Sequence, residues 1–119
     1  MEIRVEHIGD IVVIHLAGSF NIDTVARAQE TLLGEADTGG SLIAVYCEKL
    51  KSLDSSAIGF LVKFFKLVKE RGISLVMCDL NELIYRIFVT ARLDRFFTIM
   101  KRGEFEERYL AKKQEEYPR

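Results

Sequence analysis

The sequence predicts an α/β protein: a single domain with a mixed β-sheet of four to five strands, a β-hairpin at its start, helices packed on the sheet and a C-terminal helix. Two observations support this. Two strand-like runs with a tight turn between them open the chain, and after them short apolar runs alternate with segments of helical periodicity. The 119 residues, 49% of them apolar, suffice for one hydrophobic core.

The opening run "EIRVEHI" alternates apolar and polar residues, which is the period of a strand with one wet face. Gly9 and Asp10 then form a turn. The next run, "IVVIHLAG", is continuously apolar, as expected for a strand buried on both faces. Together the two runs predict the hairpin.

The first helix is predicted within "SFNIDTVARAQETLLGEA", with Asn21 or Asp23 as its cap and "DTGG" as its end. Its apolar side is predicted to contain Ile22, Val25, Ala26, Ala28, Gln29, Leu32 and Leu33. A short buried strand, "SLIAVYC", follows and is expected to end at Cys47.

The second helix is predicted after "KSLDSS" and reaches Arg71, with Gly72 in the left-handed position that commonly ends a helix. Its buried stripe is predicted to be Ile58, Leu61, Val62, Phe65 and Val68. "ISLVMC" is the next buried strand.

A third helix is predicted in "DLNELIYRIFVTARL", capped by Asp79 or Asn81, with Leu80, Leu83, Ile84, Ile87 and Phe88 facing inward. "RFFTIM" predicts a short edge strand. We divide the chain into a domain of residues 1–100 and a charged helical tail of residues 101–119, a surface helix that frays toward Pro118. The strong apolar anchors of the tail are Phe105, Tyr109 and Leu110.

The charge and hydropathy pattern argues against several classes of function. The formal net charge is −1, from 17 basic and 18 acidic residues, so no basic face favours nucleic acid. The first ten residues are charged throughout, which is not typical of a signal peptide. No apolar run approaches the ~18 residues of a membrane span. We expect a cytoplasmic protein that neither binds nucleic acid nor inserts into a membrane; its oligomeric state is left open.

The cysteines and histidines do not suggest a chemical centre. Cys47 and Cys78 each end an apolar run, and Cys is among the most buried residue types, so both are predicted to be core residues. His7 and His15 lie on the first two strands, far from any cluster of ligands with metal-site spacing. We expect no metal and no cofactor.

The stretch "SLDSSAIGFLVKFFK" resembles the signature of STAS domains of the bacterial anti-sigma factor antagonist type. Two further stretches are similar to the same family: "IVVIHLAGSFNIDTVARAQETL", and "GISLVMCDLNELIYRIFVTARLDRFFTI". The resemblance spans about residues 1 to 100. It departs from the family in the loop Gly18 to Asn21, where many antagonists have Gly-Glu-Leu-Asp, and in the basic approach through Lys49 and Lys51.

The resemblance implies a phosphorylation switch. In such proteins the serine after the aspartate is phosphorylated by an anti-sigma factor that is also a serine kinase; the unphosphorylated form binds that partner, and a phosphatase resets the switch. Carried onto this sequence, the phosphoacceptor is Ser55, with Ser56 as a secondary acceptor. The implied partner-binding positions are Asp54, Ser55, Ser56, Ala57, Ser19, Asn21 and Asp23.

Other interpretations remain open. Asp and Ser are favoured at helix starts for local hydrogen-bonding reasons, so Asp54 and Ser55 are equally compatible with a plain helix cap. A STAS domain that is not phosphorylated, as a scaffold in a stress-signalling assembly or a subunit of a lipid-transport complex, is the main alternative. Catalysis is not expected, since the sequence lacks a G-x-S-x-G elbow and a phosphate-binding loop.

Overall fold

The predicted hairpin opens the sheet. In a computed structural model, which describes residues 1–111, β1 (Glu2–Ile8) and β2 (Ile11–Phe20) pair antiparallel from Glu2↔Ala17 to Ile8↔Ile11. Gly9 adopts φ 61°, the left-handed conformation that glycine takes without steric cost, and so makes the turn possible.

Three parallel strands and three helices follow in alternation. Their bounds are α1 (Val25–Ala36), β3 (Leu42–Leu53), α2 (Ser55–Glu70), β4 (Ser74–Cys78), α3 (Glu82–Thr90) and β5 (Thr98–Met100). A 3-10 turn (Asp94–Phe96) precedes β5, and α4 (Arg102–Phe105) continues into a π-helical turn (Glu106–Leu110). The strand order is β1-β2-β3-β4-β5, with β2 to β5 parallel, which confirms the predicted mixed sheet and the edge strand β5.

The prediction for the first helix was wrong at its start. β2 continues to Phe20, α1 begins only at Val25, and the cap position is Thr24 rather than Asn21 or Asp23. Residues 21–24 form a turn, so the helical period does not apply to them. Ile22 is therefore 66% exposed instead of facing the core, and Ala26 and Gln29 are exposed as well.

Two other predictions need correction. β3 does not end at Cys47 but runs to Leu53, because it pairs with β2 as far as Phe20↔Leu53. Leu83, predicted to face inward, is 59% exposed at the start of α3. In contrast, the predicted end of α2 is confirmed: Arg71 follows its last turn and Gly72 has φ 71°.

The sheet separates two apolar clusters of unequal size. The larger lies between the sheet and α1–α3, and includes the wholly buried rings of Phe20, Phe64, Phe65 and Phe88. The smaller lies on the opposite face, where Ile11, Val13 and Val76 are covered by Phe105 and Leu110. The predicted tail thus contributes to this second core up to residue 111, and the part predicted to fray lies outside the described residues.

No helix within residues 1–111 is both long and apolar enough to cross a membrane.

Candidate functional site

Asp54 lies where the parallel pair β2–β3 ends and α2 begins. The last register pair joins Phe20 to Leu53, and the next backbone N–H, that of Asp54, donates to the Phe20 carbonyl over 3.1 Å. The end of β2 is therefore held beside the first turn of α2.

The Asp54 carboxylate connects these two elements through its two oxygens. Its Oδ1 accepts a hydrogen bond from the Ala57 N–H at 3.0 Å, which is the predicted N-cap of α2. Its Oδ2 accepts from the Ile22 N–H at 2.9 Å. One side chain thus caps the helix and fixes the loop between β2 and α1 against it.

That loop is also held by its own side chains. Asn21 Oδ1 accepts from the Asp23 N–H at 2.9 Å, and Thr24 Oγ1 accepts from the Asn21 N–H at 2.9 Å. The Thr24 hydroxyl donates to the Ser19 carbonyl at 3.2 Å. Asn21 and Asp23 therefore belong to an ordered turn beside α2, although neither caps α1 as predicted.

The two serines occupy the first positions of α2 and differ in exposure. Ser55 is exposed, Ser56 is half-buried, and both line one end of a groove of about 590 Å³ between α1 and α2. Ala57 is fully buried and its N–H is taken by Asp54. The placement of Ala57 among the partner contacts stays a prediction.

The first turn of α2 has free backbone donors beside the serine hydroxyls. It contains no acidic residue, and the backbone N–H groups of Ser55 and Ser56 have no hydrogen-bond acceptor in the described part of the chain. Unpaired amides and the helix dipole together give a helix N-terminus roughly half a positive elementary charge. The Asp54 carboxylate at the cap offsets part of this charge, and the N–H groups of Ser55 and Ser56 are the donors available to a phosphate on Ser55.

Two features of the site were missed from the sequence. Ile22 is the exposed apolar residue of the loop, and its N–H is bound by Asp54. The groove beside the serines has the apolar and basic lining Val25, Leu33, Phe60, Leu67 and Lys63. Phe60 was outside the predicted stripe, although the i, i+4, i+7 spacing of Phe60, Phe64 and Leu67 was a signal for a second apolar side of α2.

The cysteines lie apart from this site, as predicted for core residues. Cys47 packs in the larger cluster and Cys78 in the smaller, on opposite faces of the sheet, and both thiols are free. Burial raises the pKa of the Cys78 thiol to about 12 and that of Cys47 well above its usual range. Both thiols therefore stay protonated at neutral pH and are poor nucleophiles.

The histidines are paired with carboxylates. His7 Nε2 lies 3.0 Å from Glu35, and His15 Nε2 lies 2.5 Å from Glu6. No group of three or more potential metal ligands is brought together within residues 1–111.

Comparison with known sequences supports a family assignment. A family model described as the STAS domain matches residues 2–104. The anti-sigma-B factor antagonist of Bacillus subtilis (strain 168) is 28% identical over 91 residues, which cover 76% of this chain and 83% of that protein.

Solved structures share the fold. An anti-sigma-factor antagonist (STAS) domain protein from Planctomyces limnophilus superposes with a TM-score of 0.76 at 20% identity, covering 92% of this chain and 96% of that chain. The Bacillus cell fate determinant SpoIIAA in its phosphorylated form gives a TM-score of 0.71 at 17% identity, covering 90% and 98%. The predicted fold class and family resemblance are both confirmed.

Proposed function

This chain belongs to the STAS domain family, and we propose that it acts as an anti-sigma factor antagonist that phosphorylation on Ser55 switches off. The observation that carries the proposal is the position of Ser55. It is the exposed first residue of a 16-residue helix and lies beside a loop that Asp54 holds in place. The similarity to the B. subtilis anti-sigma-B factor antagonist supports the same role.

The fold tolerates a phosphate at this position. Phosphorylation adds roughly −1.5 to −2 charges, and a helix N-terminus is where such charge is favourable. The N–H groups of Ser55 and Ser56 are available as donors within the described structure. Because Ser55 is exposed, its modification displaces no core side chain. The phosphorylated form therefore remains folded.

The partner interface does not tolerate the same charge. Ile22, 66% exposed, and the apolar part of the α1–α2 groove adjoin Ser55, so a partner that covers them must also dehydrate the phosphate. Each 1.4 kcal/mol of lost binding free energy reduces affinity about tenfold. A penalty of a few kcal/mol is therefore enough to release the partner without any change of fold.

The partner in this proposal is an anti-sigma factor that is also a serine kinase, and a phosphatase resets the switch. The chain is then a substrate of the kinase and not an enzyme itself. Ser56 is the secondary acceptor because it is half-buried, whereas Ser55 is accessible to a kinase. Ser19, Asn21 and Asp23 supply further contacts from the adjoining turn. Such a protein acts in the cytoplasm.

Intact-mass measurement and phosphosite mapping of the protein from its own cells test this proposal, with Ser55→Ala and Ser56→Ala as matched variants. We expect the mass of one phosphate, mapped to Ser55, lost in Ser55→Ala and retained in Ser56→Ala. A chain that carries no phosphate under any growth condition overturns the switch. In that case Asp54 and Ser55 form only a helix cap, and the protein is a non-switching STAS scaffold or subunit.

A further inference from the structure

The β1 strand is a long edge of the sheet that lacks several of the features that usually prevent edge pairing. It has seven residues, contains no proline, and pairs with β2 without a register shift. Within the described residues its other side pairs with no strand. The opposite edge, β5, has only three residues. Proteins commonly protect edges with short strands, prolines, bulges or charged side chains, lysine above all. β1 has charged side chains but no lysine and none of the other features, so its charges decide which partner strand it can accept.

The side chains of β1 divide into two sets. Ile3 and Val5 are partly buried against the larger core under the helices. Glu2, Arg4 and Glu6 are exposed on the other face, in the order minus, plus, minus. This charge order allows the strand to match a second copy of itself.

We propose that β1 pairs antiparallel with β1 of a second copy of this chain, with Val5 opposite Val5 on a two-fold axis perpendicular to the sheet. In this register Arg4 lies opposite Glu6 of the second copy, and the two-fold axis repeats the contact. Opposite charges directly across a strand pair stabilise it, and like charges destabilise it. All seven residues of β1 then take part in the pairing, and the sheets of the two copies become one continuous sheet.

The neighbouring registers are less favourable. An axis through Arg4 places Arg4 opposite Arg4 and Glu2 opposite Glu6, both of them like-charge pairs. An axis through Glu6 brings Glu6 opposite Glu6. An axis through Ile3 restores the opposite charges, with Glu2 across from Arg4, but pairs only residues 1–5. Residues directly opposite each other in an antiparallel pair have their side chains on the same face of the sheet. Arg4 and Val5 lie on opposite faces, so a two-fold axis perpendicular to the sheet cannot place Arg4 opposite Val5.

The interface is separate from the proposed switch, because Ser55 follows β3 and β1 pairs only with β2 in the described chain. The proposal therefore does not rest on the proposed function. It predicts a weak, salt-sensitive dimer, since one strand pair is a small interface and its charge pairs are exposed.

Sedimentation equilibrium of the full-length chain, unphosphorylated and up to about 1 mM, tests the proposal in the range where small interfaces associate. We expect reversible dimerisation that weakens as salt is added. Arg4→Glu and Glu6→Arg each create like-charge pairs in this register, so each variant alone is expected to be monomeric. Mixed together they are expected to associate, because Glu introduced at position 4 then faces Arg introduced at position 6, and Arg4 faces Glu6.

The double variant Arg4→Glu/Glu6→Arg restores the opposite pairs within one chain and is expected to dimerise again. Circular dichroism and thermal unfolding of each variant verify that it is folded, and the mixing result is independent of small losses in stability. A wild-type chain that stays monomeric throughout overturns the proposal. So does dimerisation that is equal in wild type and both single variants, since the contact would then lie on another surface.

Discussion

The N-termini of α2 and α3 are capped in the same way but carry different residues after the cap. Asp54 Oδ1 accepts from the Ala57 N–H at 3.0 Å, and Asn81 Oδ1 accepts from the Ile84 N–H at 2.9 Å. Each cap also holds a second element: Asp54 accepts from Ile22, while the Asn81 side-chain amide donates to the Leu50 carbonyl at 3.1 Å. Both caps thus join a helix to the strand or loop beside it.

The difference lies in the first helical residue. α3 begins with Glu82, whose carboxylate complements the positive end of the helix, whereas α2 begins with Ser55 and has no acidic residue in its first turn. Each helix thus has one carboxylate at its N-terminus, Glu82 at the first position of α3 and Asp54 at the cap of α2. α2 differs in that its first position, Ser55, has a neutral hydroxyl.

Replacing each cap residue by alanine tests whether the two caps contribute equally to the free energy of unfolding. Asp54→Ala is expected to lower the free energy of unfolding by about 3 kcal/mol, since it removes the cap and a charge-assisted bond to the loop. Asn81→Ala removes a cap and a neutral bond, and we expect a loss of about 2 kcal/mol. Urea unfolding monitored by circular dichroism measures both. Equal losses would mean that the charge-assisted bond from Ile22 to Asp54 contributes no more than the neutral bond from Asn81 to Leu50.

Exchanging aspartate and asparagine at the two caps separates the stability contribution of the cap hydrogen bond from that of the second hydrogen bond. Asp54→Asn keeps an oxygen for the Ala57 N–H but turns an amide NH₂ toward the Ile22 N–H, so we expect a loss of about 1 kcal/mol. Asn81→Asp keeps the cap but places a carboxylate oxygen against the Leu50 carbonyl, with a loss of similar size. Amide hydrogen exchange of Ile22 is expected to increase in Asp54→Asn only. Unchanged exchange would contradict the role assigned to Oδ2.

Exchanging the first residues tests the charge difference directly. Ser55→Glu is expected to raise the free energy of unfolding by about 0.5 kcal/mol, and Glu82→Ser to lower it by a similar amount, because each carboxylate interacts with one helix N-terminus. Added salt should reduce both effects. Glu82 also pairs with Arg86, so Arg86→Gln serves as the control for that contact. A loss of stability in Ser55→Glu would argue against a phosphate being tolerated there.

The sequence was sufficient for elements whose signals lie in their own residues. Gly72 marked the end of α2, and Asp54 was predicted to be its cap. The alternation around Ile3 and Val5 predicted a half-exposed strand. In each case the local preference of the backbone or the side chain agrees with the final fold.

The errors arose where pairing between distant segments decides the structure. β3 extends to Leu53 because β2 lies beside it, and the pair contains two register shifts that no local pattern encodes. The extended end of β2 delays the start of α1 and leaves Ile22 exposed. For the same reason the bond from Ile22 to Asp54, which brings the loop to the candidate site, was not predictable from either segment alone.

The double role of Asp54 has a consequence for evolution. Under the function proposed above, a descendant that lost the phosphorylation switch would be free to replace Ser55, which has no side-chain bond in residues 1–111 of the structure, but would still need Asp54 for the helix start and the loop. We therefore expect Asp54 to be retained in sequences that have lost the phosphorylation switch. The same proposal predicts an aspartate at this position of related sequences wherever the fold is kept, and the serine after it only where the switch is kept.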